Sequence, residues 1–234
     1  MSSVSGQRGR KVTARKQNPL TIFYLVVGAI ALIGIAGLAT WLLRNRANPP
    51  VAAPTVPVGQ TDEGFWYKGN PEAPLTVTEY ADYQCPSCAY YDRNMAPIIS
   101  RDYIETGKVR FVYHEVPLDS HRHAVAAAAA ARCAGEQGKF WQMHDMLYLN
   151  QQQWSPLNNV QNVFSGYAGQ LGLDRAAFDA CMSNGAQAQA VTAAAEAAFA
   201  AGVNATPTFN VNGRIVDMRE LPGAIEAALR AAGQ

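Results

Sequence analysis

Cys85-Pro86-Ser87-Cys88 is the segment of this 234-residue chain whose residue types and spacing can do chemistry. Two cysteines three positions apart can exchange a disulfide with another dithiol, and the thiolate is the reacting species. The apolar strand pattern Leu75-Thr76-Val77-Thr78-Glu79-Tyr80 runs out just before the pair. Proline suits the first position of the helix that follows, because it has no N–H to leave unpaired and its φ is already helical. Cys85 then falls at the N-cap, where unpaired backbone N–H groups and the positive end of the helix dipole favour thiolate. Such cysteines have a pKa lowered from about 8.5 to about 3.5–7.5. Cys88, one turn further on, is the resolving partner. Taken alone, a C-x-x-C also fits half of a zinc site or a structural disulfide. Zinc asks for about four ligands, usually with a second paired motif, and Cys133 and Cys181 stand apart.

The elements around the pair read in order. Gly64–Gly69 is a short edge strand closed by Asn70-Pro71, and Leu75–Tyr80 is a strand. Pro86–Arg101 is a helix and Val109–Val116 a second strand, so strand, helix and strand open a parallel crossover. A helical stretch runs from about His121 to Ala201. In it Ala124–Ala131 is nearly pure alanine, and Phe140, Met143, His144 and Leu147 share one helix face. One further helix starts at Leu173-Asp174 and another covers Gln187–Ala201. Asn212-Gly213 joins strands Thr208–Val211 and Arg214–Val216 as a hairpin, and a helix from Glu220 to Ala232 closes the chain. The histidine spacing His121-Arg122-His123 sends the two rings to different helix faces, and His144 sits among apolar residues as a packing histidine. No metal and no cofactor are expected.

Charge and hydropathy divide the chain. Leu20–Leu43 is an uncharged, apolar run that, at 1.5 Å per residue, spans a bilayer core of about 30 Å with some tilt. It reads as an uncleaved single-pass anchor into the lipid bilayer; a cleaved signal peptide, with an apolar region of about 7–15 residues, is the alternative. Arg8, Arg10, Lys11, Arg15 and Lys16 precede the run and only Arg44 and Arg46 follow it, which keeps the N-terminus cytoplasmic and the rest extracytoplasmic. The tail and anchor hold seven basic residues and no acid, and the remainder twelve basic and eighteen acidic, so a net charge of +1 hides a domain at minus six. Nothing in this balance points to nucleic acid; the basic tail is a topology signal. Ala47–Gly59 is proline-rich and reads as an extended spacer. The organisation is therefore a tail at 1–19, an anchor at 20–43, a linker at 44–62 and one domain at 63–234, with a helical insertion at about 119–201.

The element order is βαβ, a helical insertion, then ββα, an α/β thioredoxin-like fold interrupted by helices. Three stretches make the resemblance specific: Glu79-Tyr80-Ala81-Asp82-Tyr83-Gln84-Cys85-Pro86-Ser87-Cys88, Cys133-Ala134-Gly135-Glu136-Gln137-Gly138-Lys139-Phe140-Trp141, and Gly202-Val203-Asn204-Ala205-Thr206-Pro207-Thr208-Phe209. Over Phe65–Ala232 the chain resembles the DsbA-like thiol:disulfide oxidoreductases of the bacterial cell envelope, in particular membrane-anchored members with a second cysteine pair. The resemblance implies a cis Thr206-Pro207 peptide facing the dithiol, with the Thr206 backbone free to pair with an extended substrate. It implies a buried acid below the dithiol at Glu79, able to exchange a proton with Cys88; an ordinary solvent-facing strand residue is the alternative. It also implies a structural Cys133–Cys181 disulfide, against two buried free thiols. The function it implies is oxidation of exported cysteine-containing proteins, with recycling by a membrane oxidant of the DsbB or VKOR type. A reductase or isomerase of the same fold, or a tethered chaperone with a structural dithiol, are the alternatives.

Overall fold

The computed structural model describes residues 18–47 and 51–233. The chain divides into two units, Met1–Pro50 and Val51–Gln234. The basic residues expected to orient the anchor, Arg8, Arg10, Lys11, Arg15 and Lys16, lie outside the described residues, as do Asn48, Pro49 and Pro50.

Among its described residues the first unit contains one helix, α1 (Pro19–Ala47). Its segment Ile22–Thr40 is long and apolar enough to cross a membrane, and the side chains there face outward rather than into protein. Thr40 hides its hydroxyl by donating back to the carbonyls of Ala36 and Gly37, both at 2.9 Å.

In the second unit, six strands among the described residues form one sheet in the order β1-β2-β4-β3-β5-β6. They are β1 (Val58–Gln60), β2 (Trp66–Lys68), β3 (Leu75–Ala81), β4 (Val109–Glu115), β5 (Thr208–Val211) and β6 (Arg214–Val216). Only β3 and β4 run parallel, in the register Leu75↔Val109 to Ala81↔Glu115; the other pairs are antiparallel. Strict alternation puts Leu75, Val77, Glu79 and Ala81 on one buried face of β3. Asn212, at φ 49°, and Gly213, at φ 93°, form the positive-φ hairpin turn between β5 and β6.

Between β3 and β4 lie α2 (Pro86–Asn94), α3 (Ala96–Ile99) and a π turn at Ser100–Ile104. The single helix expected over Pro86–Arg101 is thus broken at Met95. Pro97 has no N–H to give the carbonyl of Arg93 and its ring crowds that carbonyl, which interrupts the helix there. The insertion carries α4 (Ala124–Gly135), α5 (Phe140–Leu149), α6 (Gln151–Trp154), α7 (Gln161–Gln170), α8 (Arg175–Asn184) and α9 (Ala186–Ala200), and α10 (Leu221–Ala231) follows the hairpin. Asp174 caps α8 by accepting from the amides of Ala176 and Ala177. The alanine face of α4 is buried almost completely, so a residue chosen for helix propensity serves here as a close-packing surface.

The linker expected at 44–62 is corrected at both ends. Helix α1 continues to Ala47, Val51 and Val56 pack against the domain core, and β1 pairs with β2, so β2 is an interior strand rather than the edge. Three residues give too little alternation to read, and Pro57 only bars the residue itself from donating to the ladder, not its successors from pairing.

Candidate active site

Strand β3 delivers a turn, Asp82–Gln84, directly onto the start of α2. Cys85 takes an extended conformation (φ −71°, ψ 123°) as its N-cap, with Pro86 inside the first turn. The residue is 6% exposed and its thiol donates to the carbonyl of Thr206 at 3.4 Å. The Thr206-Pro207 peptide is cis. A hydrogen bond from the Cys88 thiol lowers the Cys85 pKa most. Burial opposes it, while the Thr206 hydroxyl and the amides of Cys88 and Ser87 add to the lowering, and the result is about 5. The buried Thr206 hydroxyl has no partner among the described residues, so its proton is free to turn onto the Cys85 thiolate.

Cys88 is fully buried, and burial first, then the hydrogen bond to Cys85, pushes its thiol well above the ordinary value. The two cysteines, one turn apart, are thereby split into an ionised outer sulfur and a protonated inner one. Glu79 lies on the buried face of β3 at 3% exposure, with Oε1 unpartnered among the described residues. Burial raises it well above the carboxylate range; the charges of Asp92 and Cys85 raise it further and Lys68 pulls it down. It is buried rather than solvent-facing, and ionising it would raise the Cys88 thiol further.

Cys133 on α4 and Cys181 on α8 are joined by a disulfide with Cα atoms 5.8 Å apart. It clamps the helical insertion and takes no part in the dithiol site. The two nearby histidines make separate contacts: His121 Nδ1 meets Asp82 Oδ2 at 2.7 Å, and His123 Nε2 the carbonyl of Leu157 at 2.7 Å. Both precede α4 rather than riding on it, so the two-face argument drawn from helical spacing does not apply.

His144 is buried, as a packing histidine would be, but both ring nitrogens have polar partners: Tyr83 Oη at 3.2 Å and Asp92 Oδ1 at 3.2 Å. Asp92, His144 and Asp145 bring one ligand atom each within 4.8 Å of one another, a set that could hold a metal ion. Lys68 and Arg93 line the same cavity of about 450 Å³ as Asp92 and Asp145; Arg93 donates to the Tyr148 carbonyl and Lys68 lies over the rings of Phe111 and Trp141.

Sequence reasoning assigned no role to the residues that hold the dithiol turn. The carboxylate of Asp82 is buried and accepts from the amides of Gln84 and Leu118 and from His121. Gln84 accepts from the His123 amide and donates to the Ser155 carbonyl, and Gln151 Nε2 donates to the carbonyls of Tyr83 and Cys85, each at 2.8 Å. Asp82 and Gln84 stood inside the quoted motif, so position beside the cysteines was their signal. Gln151, 66 residues away, carried none.

A family model described as thioredoxin matches residues 61–231. The chain is 38% identical over 201 residues to the Na(+)/H(+) antiporter NhaA 3 of Salinispora tropica, a match covering 79% of this chain and 29% of that protein. It is 28% identical over 171 residues to a Rickettsia conorii protein whose name proposes a protein-disulfide oxidoreductase, covering 73% and 61%. The chain thus spans 29% of the antiporter's length and 61% of the Rickettsia protein's. Among solved structures, oxidised BdbD of Bacillus subtilis superposes with a TM-score of 0.66 at 25% identity, covering 75% of this chain and 98% of that one. Alpha-DsbA1 of Wolbachia pipientis shares the fold at a TM-score of 0.63 and 22% identity, covering 71% and 91%.

Proposed function

We propose that this chain, which belongs to the thioredoxin family, is a DsbA-like, membrane-anchored, extracytoplasmic thiol:disulfide oxidase that donates a Cys85–Cys88 disulfide to exported proteins. The observation that carries this reading is the split of the pair: a Cys85 thiol lowered to about 5 at the N-cap, beside a Cys88 raised by burial. Stabilising the reduced form through the Cys85 thiolate makes the disulfide form the stronger oxidant.

A substrate thiolate attacks Cys85 Sγ, the Cys85–Cys88 bond breaks, and Cys88 leaves and takes up a proton. A second substrate thiolate then attacks the substrate sulfur of the mixed disulfide and expels Cys85, whose low pKa makes it a good leaving group. The substrate gives up two electrons and two protons; the protein takes both electrons and one proton, on Cys88, while Cys85 remains a thiolate and the other proton goes to solvent. Glu79, held protonated by burial, is the group to supply the proton to departing Cys88. The cis Thr206-Pro207 segment presents backbone to pair with an extended substrate. An oxidant of the DsbB or VKOR type in the same membrane would reset the disulfide, and the basic tail would keep the N-terminus in the cytoplasm.

The direction is tested by glutathione titration beside two activity assays, oxidative refolding and insulin reduction. The dithiol is expected on the oxidising side of thioredoxin's potential of about −270 mV, with refolding faster than insulin reduction. A value near −270 mV with faster insulin reduction replaces the oxidase with a reductase, and no activity in either assay leaves a tethered protein with a structural dithiol.

A further inference from the structure

Asp82 is a buried ionisable group that the exchange chemistry does not use. Its side chain has no exposure to solvent, and a carboxylate in such a place is costly unless donors surround it. Here they do, on both sides. Oδ1 accepts from the Gln84 amide at 2.7 Å, while Oδ2 accepts from the Leu118 amide at 2.9 Å and from His121 Nδ1 at 2.7 Å. Three donors converge on two oxygens, and only an acceptor-only group satisfies them; an amide in its place would turn an NH₂ toward one set of N–H groups.

The two oxygens tie different parts of the fold. Oδ1 closes the turn that carries Cys85, whose own amide donates to the Asp82 carbonyl at 3.0 Å. Oδ2 holds the loop between β4 and α4, where the helical insertion begins. The Asp82 amide faces the Cys88 sulfur. His121 is the outermost member, with a side chain 21% exposed. Since the carboxylate can only accept, the hydrogen between them sits on Nδ1.

We propose that Asp82 and His121 are a positioning pair for the dithiol, holding Cys85 at the N-cap so that the Ser87 and Cys88 amides stay aimed at its sulfur, and thereby setting the oxidising strength of the site. The proposal rests on the redox reading of Cys85–Cys88. With the pair broken, the turn relaxes, the thiolate loses aligned donors, and the reduced form loses its advantage over the disulfide.

The test uses the full chain carrying Asp82→Asn, His121→Ala or His121→Asn. Asn Nδ2 stands at the same bond count as His Nδ1, so His121→Asn keeps the donor. Three quantities are measured: the equilibrium constant for reduction by glutathione, the rate of Cys85 alkylation at pH 6, and the melting temperature. Losing about one charge-assisted hydrogen bond to the thiolate corresponds to about a tenfold fall in the glutathione constant for Asp82→Asn. His121→Ala should fall in the same direction by a smaller factor, and His121→Asn should return toward the unmodified protein. Constants and alkylation rates within twofold of the unmodified protein for Asp82→Asn and His121→Ala would overturn the proposal, whatever the melting temperatures do. If Asp82→Asn does not fold, the two His121 variants decide by the same criterion. Failure of the unmodified protein to exchange with glutathione would instead remove the redox reading, and the alkylation rates would still judge the pair.

Discussion

The Cys85 sulfur stands 3.4 Å from the carbonyl oxygen of Thr206, the residue before the cis proline, and the Thr206 hydroxyl is buried without a partner among the described residues. One residue therefore presents two groups to the sulfur: a carbonyl that accepts from the thiol and a hydroxyl available to the thiolate. Thr206→Val keeps the shape and removes the second. Losing a charge-assisted donor shifts the thiolate-to-thiol ratio about tenfold, so alkylation of Cys85 at pH 5 should slow about fivefold, with the glutathione constant falling in parallel. Unchanged alkylation would show that the hydroxyl does not reach the sulfur.

Alkylation against pH should resolve the two cysteines. Cys85 is expected to reach half its limiting rate at about pH 5, with Cys88 unreactive until the pH is far higher. The same split makes reduced-state stability depend on pH. The folded Cys85 pKa of about 5 lies below its ordinary value of 9.0, so its contribution is complete above the ordinary value and is lost as pH falls through the folded one. The reduced protein should gain on the disulfide form between about pH 5 and pH 9. Paired melting curves at pH 5 and pH 8 check it, and a gap that widens on acidification would be the wrong sign.

Glu79→Gln preserves the shape of a buried side chain while removing its proton. General acid or base catalysis contributes about 100-fold or more where it operates, so exchange at pH 7 should slow at least tenfold. The melting temperature should hold or rise, because a buried carboxyl with an unpartnered oxygen carries a desolvation cost. Stopped-flow tryptophan fluorescence follows the rate. Wild-type kinetics in a normally folded variant would leave Glu79 as a structural acid.

Replacing both Cys133 and Cys181 with alanine opens a bond across a sequence separation of 48 residues. The chain-entropy relation gives a loss of about 4 kcal/mol. Denaturant unfolding should register most of it, while the oxidase rate of the folded variant stays near normal. A large catalytic loss in folded protein would mean that electrons pass through this pair.

Much of the molecule was written in local order along the chain. The dithiol, its N-cap placement and the strand that precedes it follow from a proline at the first helical position and a two-residue alternation ending beside it. Hydrophobic period, alanine content and Asn212-Gly213 likewise mark α4, α5, α8, α9 and the β5–β6 hairpin, because helices and tight turns depend on residues a few positions apart. The sequence, by its charge-free apolar run, also marked α1. Tertiary structure decided what depends on distant chain segments meeting. The short strand β1 exists because β2 offers it an open edge, and the break at Met95 reflects a missing Pro97 N–H that composition alone did not weigh against the helical pattern. The burial of Glu79 required sheet neighbours on both sides. The turn before Cys85 is held by His121, His123, Gln151 and Ser155, all supplied by the insertion. Hydrogen bonds across such separations leave no periodic trace, since their donors and acceptors are chosen by where the folded backbone passes rather than by spacing along it.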